Sequence, residues 1–217
     1  YECTHLKTNA KLLHLHCNDQ ENLYAIAFRT PPRDSTGVAH ILEHSVLAGS
    51  RKYPVRDAFN ELGKGTLRTF LNAFTAPDFT CYPMASQVRA DFYNLASVYT
   101  DLVFRPLLKK STFMQEGHHL EMEDGRLSIS GIVYNEMKGN YSSADVVAER
   151  ATLQTLFPDT PYGVESGGDP DVIPDLTYEG FRDFHRRFYA ASNARIFLYG
   201  DIPTADHLAF LAGQLAG

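Results

Sequence analysis

Residues 37–49 read GVAHILEHSVLAG, and the fold and chemistry of the chain turn on that stretch. Ala39, Ile41, Leu42, Val46 and Leu47 recur at the spacing of a helix with a buried apolar face. Ser35 or Thr36 offers a capping oxygen at its start, and Gly49 a stop at its end. Positions four apart on a helix lie one turn above each other, so His40 and His44 present their imidazoles on one face. Glu43 borders that face. Two such imidazoles can share an ion, and zinc accepts imidazole nitrogen and carboxylate oxygen alike. A carboxylate beside the ion can take a proton from an attacking water and return it to a leaving amine. The familiar order of such a helix is HExxH. The order here, HxxEH, moves the carboxylate to the other side of the histidine pair and preserves the geometry.

The competing reading is coincidence. Nine histidines in 217 residues leave room for a chance pair four apart. The apolar flanks weigh against it, because buried histidines and a glutamate need partners and a shared ion supplies them. A catalytic zinc usually keeps three protein ligands and one open position. The candidates for the third ligand are Glu116, His118, His119, Glu121, Glu123 and Glu136. GHHLEME, 117–123, reads more simply as a solvated helical surface. Glu136 follows the apolar run of GIVYNEMKG and is the better placed, but residue chemistry alone leaves all six open.

Outward from this helix, KLLHLHC (11–17) and NLYAIAFRT (22–30) read as two strands joined by a turn at Asn18–Asp19. His14 and His16 alternate with Leu13 and Leu15, so they are expected to face away from the core and bind nothing. A short helix fits 55–63, and the aromatic- and Thr-rich run 69–85 reads as a hairpin around Ala-Pro-Asp. In that run Phe70, Phe74, Phe79 and Tyr82 are expected to serve packing, and Thr75 implies no chemistry. Helices fit 87–103, 110–122, 134–141, 145–157 and 178–189, with strands at 126–130 and 195–200 and a final helix. His185 reads as helix surface. The loop 158–177, dense in Pro, Gly and Asp, leaves too few residues after it for a second core. These elements predict one α+β domain over 1–217, a mainly antiparallel sheet flanked by helices.

Composition narrows function by exclusion. A net charge of −6 gives no nucleic-acid footprint. No apolar run approaches the roughly 20 residues that span a membrane. YECTHLKTNA shows no basic region followed by an apolar one, so no signal peptide is expected. Three scattered cysteines suggest neither a disulfide framework nor a cysteine zinc site, and fit a reducing compartment.

Four blocks in order, HILEHSVLAGSRKYPVRDAF, LRTFLNAFTAPDFTCYPMAS, GIVYNEMKGNYSS and GGDPDVIPDLTYEGFRDFHRRFYAASNARIFLYGD, cover nearly the whole chain. Together they resemble the inverzincin peptidases of the pitrilysin/insulinase family, in the presequence protease branch. The resemblance implies a zinc metalloendopeptidase with one zinc per chain. It makes His40, His44 and Glu136 the metal ligands and Glu43 the general base. It places Asn72 and Ala73 on an edge segment that binds substrate backbone, where an extended peptide can add to a sheet. It also implies unstructured peptides as substrates, because family members close around them, and a second homologous half that supplies an Arg and a Tyr. The location it implies is cytoplasmic in a bacterium and an organellar matrix in a eukaryote. Nothing in these 217 residues corresponds to the second half. A zinc-binding but non-catalytic scaffold is therefore the alternative expectation. A small-thioether lyase on a related fold is disfavoured by the length and the downstream blocks.

Overall fold

Tyr24, Ile26 and Phe28 alternate with smaller residues along one strand, and all three are fully buried in a computed structural model that describes residues 1–215. That strand lies in the middle of a seven-stranded sheet. The strands are β1 (Glu2–Thr4), β2 (Lys11–His16), β3 (Asn22–Arg29), β4 (Arg68–Leu71), β5 (Phe74–Thr75), β6 (Phe79–Ser86) and β9 (Ala194–Gly200). Their order is β1-β2-β9-β3-β6-β4, with β5 also on β6. Every pairing is antiparallel except β2 with β9. β7 (His119–Glu123) and β8 (Arg126–Ser130) form a separate hairpin. The helices are α1 (Val38–Val46), α2 (Ala58–Gly65), α3 (Arg89–Phe104), α4 (Lys110–Glu116), α5 (Ile132–Asn140), α6 (Ala144–Leu156), α7 (Tyr178–Phe188) and α8 (Thr204–Gln214). The α+β architecture with a mainly antiparallel sheet is as expected from the sequence. No helix among the described residues is long and apolar enough to cross a membrane.

One buried cluster joins sheet to helices. Ile41 and Leu42 of α1, Leu95 and Tyr99 of α3, and Phe181 of α7 meet Tyr24, Ile26, Tyr82 and Met84 of the sheet. Each buried side chain of this kind stabilises the fold by about 1.5–3 kcal/mol. The buried tyrosines do so without stranding a hydroxyl. Tyr24 meets Thr100 Oγ1 at 2.9 Å, and Tyr82 meets the Tyr189 hydroxyl at 2.7 Å. Tyr99 donates to the Asn72 carbonyl at 3.2 Å, tying the end of β4 to α3.

Several local expectations are corrected. β2 and β3 are not a hairpin, because β9 lies between them and pairs with both. Ile196 and Leu198 of β9 fill the inner face there, a non-local pairing that no turn signal announces. His14 faces inward and is fully buried, while Leu13 and Leu15 are exposed. The inward set on β2 is thus Leu12 and His14. His185 is half-buried, its Nε2 donating to the Val103 carbonyl at 2.9 Å. The helix expected over 110–122 ends at Glu116, and 119–123 is strand. There Leu120 and Met122 pair across the hairpin with Ile129 and Leu127, a period of two rather than 3.6. Neither Ser35 nor Thr36 caps α1. Gly37 stands at that position with φ 68° and no side-chain cap.

The buried His14 belongs to a second titratable cluster, away from α1. Its Nδ1 meets Thr204 Oγ1 at 2.9 Å, and its ring packs on His207 of α8 with centroids 4.8 Å apart. Burial, and then the neighbouring His14, pushes the His207 imidazole down to about 4, with Asp206 partly opposing. Burial and then His16 lower His14 as well. A histidine lowered in the folded state leaves the unfolded chain binding more protons, so stability rises with pH. For His207 that window runs from about 4 to its ordinary value of 6.5. Acidification across it is expected to cost on the order of 3 kcal/mol. Urea unfolding at pH 7 and pH 4.5 checks this, and His207→Phe is expected to flatten the slope.

Candidate metal centre

α1 positions its histidines through a close backbone contact at its start. A Cβ on Gly37 would meet the Gly167 carbonyl oxygen and the Gly168 Cα, each at 2.8 Å. Only glycine fits there, and the left-handed φ of Gly37 also favours it. The approach brings the Gly167 carbonyl to 3.0 Å from His40 Nδ1. One turn on, His44 Nδ1 lies 3.3 Å from Glu116 Oε2 at the end of α4. Each Nδ1 therefore has an acceptor for its proton, which leaves both Nε2 lone pairs bare.

Those two nitrogens face α5. His40 Nε2 is 3.7 Å from Glu136 Oε1, and His44 Nε2 is 3.9 Å from Glu136 Oε2. Among the described residues this is the one group of three or more His, Cys, Asp or Glu whose donor atoms all lie within 4.8 Å of one another. Donors each about 2.1 Å from a tetrahedral zinc stand about 3.4 Å apart. The two contacts, made to different oxygens of Glu136, are a few tenths of an ångström wider, and one donor atom from each residue lies within 4.8 Å of the others, so two imidazole nitrogens and a carboxylate fit such an ion once their side chains close in. The histidines are well enclosed, with side chains 11% and 25% exposed, whereas Glu136 is 47% exposed. The centre thus opens on the Glu136 side.

Charge collects around His44. Burial alone would lower its pKa, but the hydrogen bond to Glu116 and the charges of Glu43, Glu116 and Glu136 outweigh it, and the net shift is upward. Glu43 is largely buried, lines one cavity with the histidines and Glu136, and accepts a hydrogen bond from Thr75 Oγ1 at 2.7 Å. One carboxylate oxygen is thereby anchored to β5.

Asn72 and Ala73 lie between β4 and β5, at the open side of the sheet. Asn72 turns its Oδ1 onto the Ala73 N–H at 2.9 Å, leaving its amide NH2 unused by that contact. Ala73 borders two cavities that meet at Glu43 and His44. One of about 450 Å³ is lined by His40, Glu43, Thr75 and Glu136. The other, about 650 Å³, runs past His44, Phe59, Asn72 and Glu116.

The remaining candidates stay apart. Glu116 sits behind His44 as a hydrogen-bond acceptor, not beside Glu136. His118 Nε2 turns to the Leu176 carbonyl at 3.2 Å and His119 Nδ1 to that of Met114 at 2.8 Å. Glu121 and Glu123 are exposed on the β7–β8 hairpin. Phe74 and Phe79 pack edge to face across β5–β6 with centroids 5.9 Å apart, yet both remain exposed. Three contacts were not read from the sequence: Thr75 on Glu43, Glu116 on His44, and Gly167 on His40. The Gly167–Gly168 pair was a signal for a close approach, while Thr75 offered none.

The family model "Insulinase (Peptidase family M16)" matches residues 28–138, which hold His40, His44 and Glu136. The model "Peptidase M16 inactive domain" matches residues 175–217. Presequence protease 1, chloroplastic/mitochondrial, of Arabidopsis thaliana is 53% identical over 215 residues, 97% of this chain. The mitochondrial presequence protease of Xenopus laevis is 49% identical over 210 residues, 94% of this chain. The chain spans 20% of the length of each. Among solved structures, a protease from Helicobacter pylori superposes with a TM-score of 0.83 at 17% identity, over 99% of this chain and 49% of its own. The periplasmic protease PqqL from Escherichia coli superposes at 0.77 and 18%, over 100% and 23%. Those two likenesses show the fold alone. With a family model matching more than half of its length, the chain belongs to the insulinase family of peptidases, M16.

Proposed function

We propose that this chain is a zinc-dependent endopeptidase domain that hydrolyses unstructured peptides, and that residues 1–217 form one such domain. The observation that carries the reading is the convergence of His40 Nε2, His44 Nε2 and Glu136 on one face, with Glu43 beside them. The relatives named presequence proteases support the activity. Their names also support an organelle as the location in a eukaryote, which we take to be its matrix, and we assign the cytoplasm in a bacterium.

His40, His44 and Glu136 would hold one zinc. When bound, zinc supplies Lewis acidity at the open side of the three donors. Glu43 takes the proton of the attacking water and later gives it to the leaving amine. Thr75 holds one of its oxygens, so the other is free for that traffic. The Gly167 carbonyl and Glu116 keep both imidazoles turned with Nε2 inward. Asn72 and Ala73 receive the extended substrate along the sheet edge, which selects chains without tertiary structure. A second homologous half, consistent with the chain spanning a fifth of its relatives, would complete the enclosure.

Incubation with an unstructured peptide tests the reading. Cleavage is expected, with loss on chelation and return on adding zinc, while a folded protein of the same composition stays intact. Cleavage that survives chelation would contradict it. A second reading, metal binding without turnover, is favoured by the exposure of Glu136. Water exclusion and substrate positioning both depend on closure.

A further inference from the structure

The loop 165–169 touches the metal centre through one backbone carbonyl, that of Gly167 on His40 Nδ1. A carbonyl on a loop is only as fixed as the loop. The segment before α1 holds it from one side. The Asp169 N–H donates to the Ser35 carbonyl at 2.8 Å, and the Glu165 N–H to the Ser35 hydroxyl at 3.1 Å. From the other side comes Arg150 of α6. Its Nη2 donates to Asp169 Oδ2 at 2.8 Å, and its Nε lies 3.9 Å from Glu165 Oε2. Its guanidinium covers the Tyr141 ring at 4.8 Å. Glu165 uses its other oxygen to accept the Gly167 N–H at 3.0 Å. Arginine, carboxylate and loop amide thus form one chain ending at the His40 ring.

The setting makes this more than a surface ion pair. The side chains of Arg150, Glu165 and Asp169 are 18%, 23% and 18% exposed, so solvent screens them weakly. α6 itself buries no residue. Core packing therefore does not explain why its arginine turns inward, whereas the loop carboxylates do. A guanidinium presents fixed, planar donors to two carboxylates at once, whereas a lysine offers a flexible point charge.

We propose that Arg150 is a positioning residue for the metal centre. By clamping Glu165 and Asp169 it holds the Gly167 carbonyl on His40 Nδ1 and keeps His40 Nε2 turned toward His44 and Glu136. The inference rests on the reading of those three residues as a zinc site.

The test compares the whole chain with its variants, loaded with zinc and separately with cobalt(II), whose visible bands report the ligand field. R150A is expected to raise the zinc dissociation constant about 10-fold, the low end for partners behind metal ligands. Its cobalt bands are expected to shift. R150K keeps the charge without the fork and should fall between R150A and the parent. E165Q keeps an acceptor for the Gly167 N–H and should change affinity in the same direction by less. Parental zinc affinity and parental cobalt bands in R150A overturn the proposal and leave the zinc site standing, even where thermal stability drops. A parent chain that binds no zinc overturns both. If R150A does not fold, parental affinity in both R150K and E165Q overturns the proposal.

Discussion

Glu43→Gln is expected to leave one zinc per chain and to lower peptide hydrolysis about 1,000-fold, within the 10²–10⁴ range of a general acid–base group. The two effects separate because of where Glu43 sits. It follows His40 by three residues on α1, borders the ligand face, and is held from β5 by Thr75 rather than by the metal donors. Glutamine keeps the size and still accepts from the Thr75 hydroxyl, so the buried pocket stays filled and partnered. What it cannot do is accept and return a proton. Zinc content and turnover measured on one preparation check both halves. Turnover equal to the parent's would remove the base assignment, and loss of the metal would make Glu43 a ligand instead.

His44→Ala is expected to weaken zinc binding by two to three orders of magnitude, about 3–4 kcal/mol for one of three ligands. It is also expected to destabilise the metal-free fold. Glu116 is 8% exposed and faces His44 Nδ1 at 3.3 Å, so the alanine leaves a buried carboxylate without that partner. A buried acceptor left unsatisfied costs about 1–3 kcal/mol, and more when charged. The parent should show a matching pH dependence. The carboxylates around His44 raise its pKa, so the metal-free protein keeps that proton to higher pH than a free imidazole. In the metal-free fold this stabilisation is full below the ordinary histidine value and fades as pH rises through the raised one. Zinc must displace the same proton, so its affinity climbs with pH over that range. Titrations of zinc at pH 6, 7 and 8 read the slope, which His44→Ala is expected to reduce.

What could be read in advance followed from local physics. The spacing of Ile41, Leu42 and Val46 specified α1, and the i,i+4 rule placed His40 beside His44. The run NLYAIAFRT reads as a strand, and β3 stands there with Tyr24, Ile26 and Phe28 inward. Apart from the strand at 119–123, where a period of two stands in place of the expected helical one, the errors share one cause, dependence on distant partners. β9 enters between β2 and β3 from about 180 residues downstream, and it reverses the expected orientation of His14. Leu13 and Leu15 out, His14 in, contradicts hydropathy and follows from the contacts His14 makes with Thr204 and His207 of α8. Gly37 replaces Ser35 and Thr36 at the start of α1 because Gly167 and Gly168 press against it. Glu116 entered as a possible ligand and instead meets His44 at Nδ1, whereas Glu136 faces Nε2. The i,i+4 pair is a local fact, but the partners that orient it come from three other segments.

Titration of zinc into the metal-free chain, alongside His40→Ala and Glu136→Ala, bears most directly on the metal centre. The parent is expected to take up one zinc per chain, and each variant to lose at least about 100-fold in affinity. Failure of the parent to bind, or parental affinity in both variants, would contradict a zinc site built from His40, His44 and Glu136.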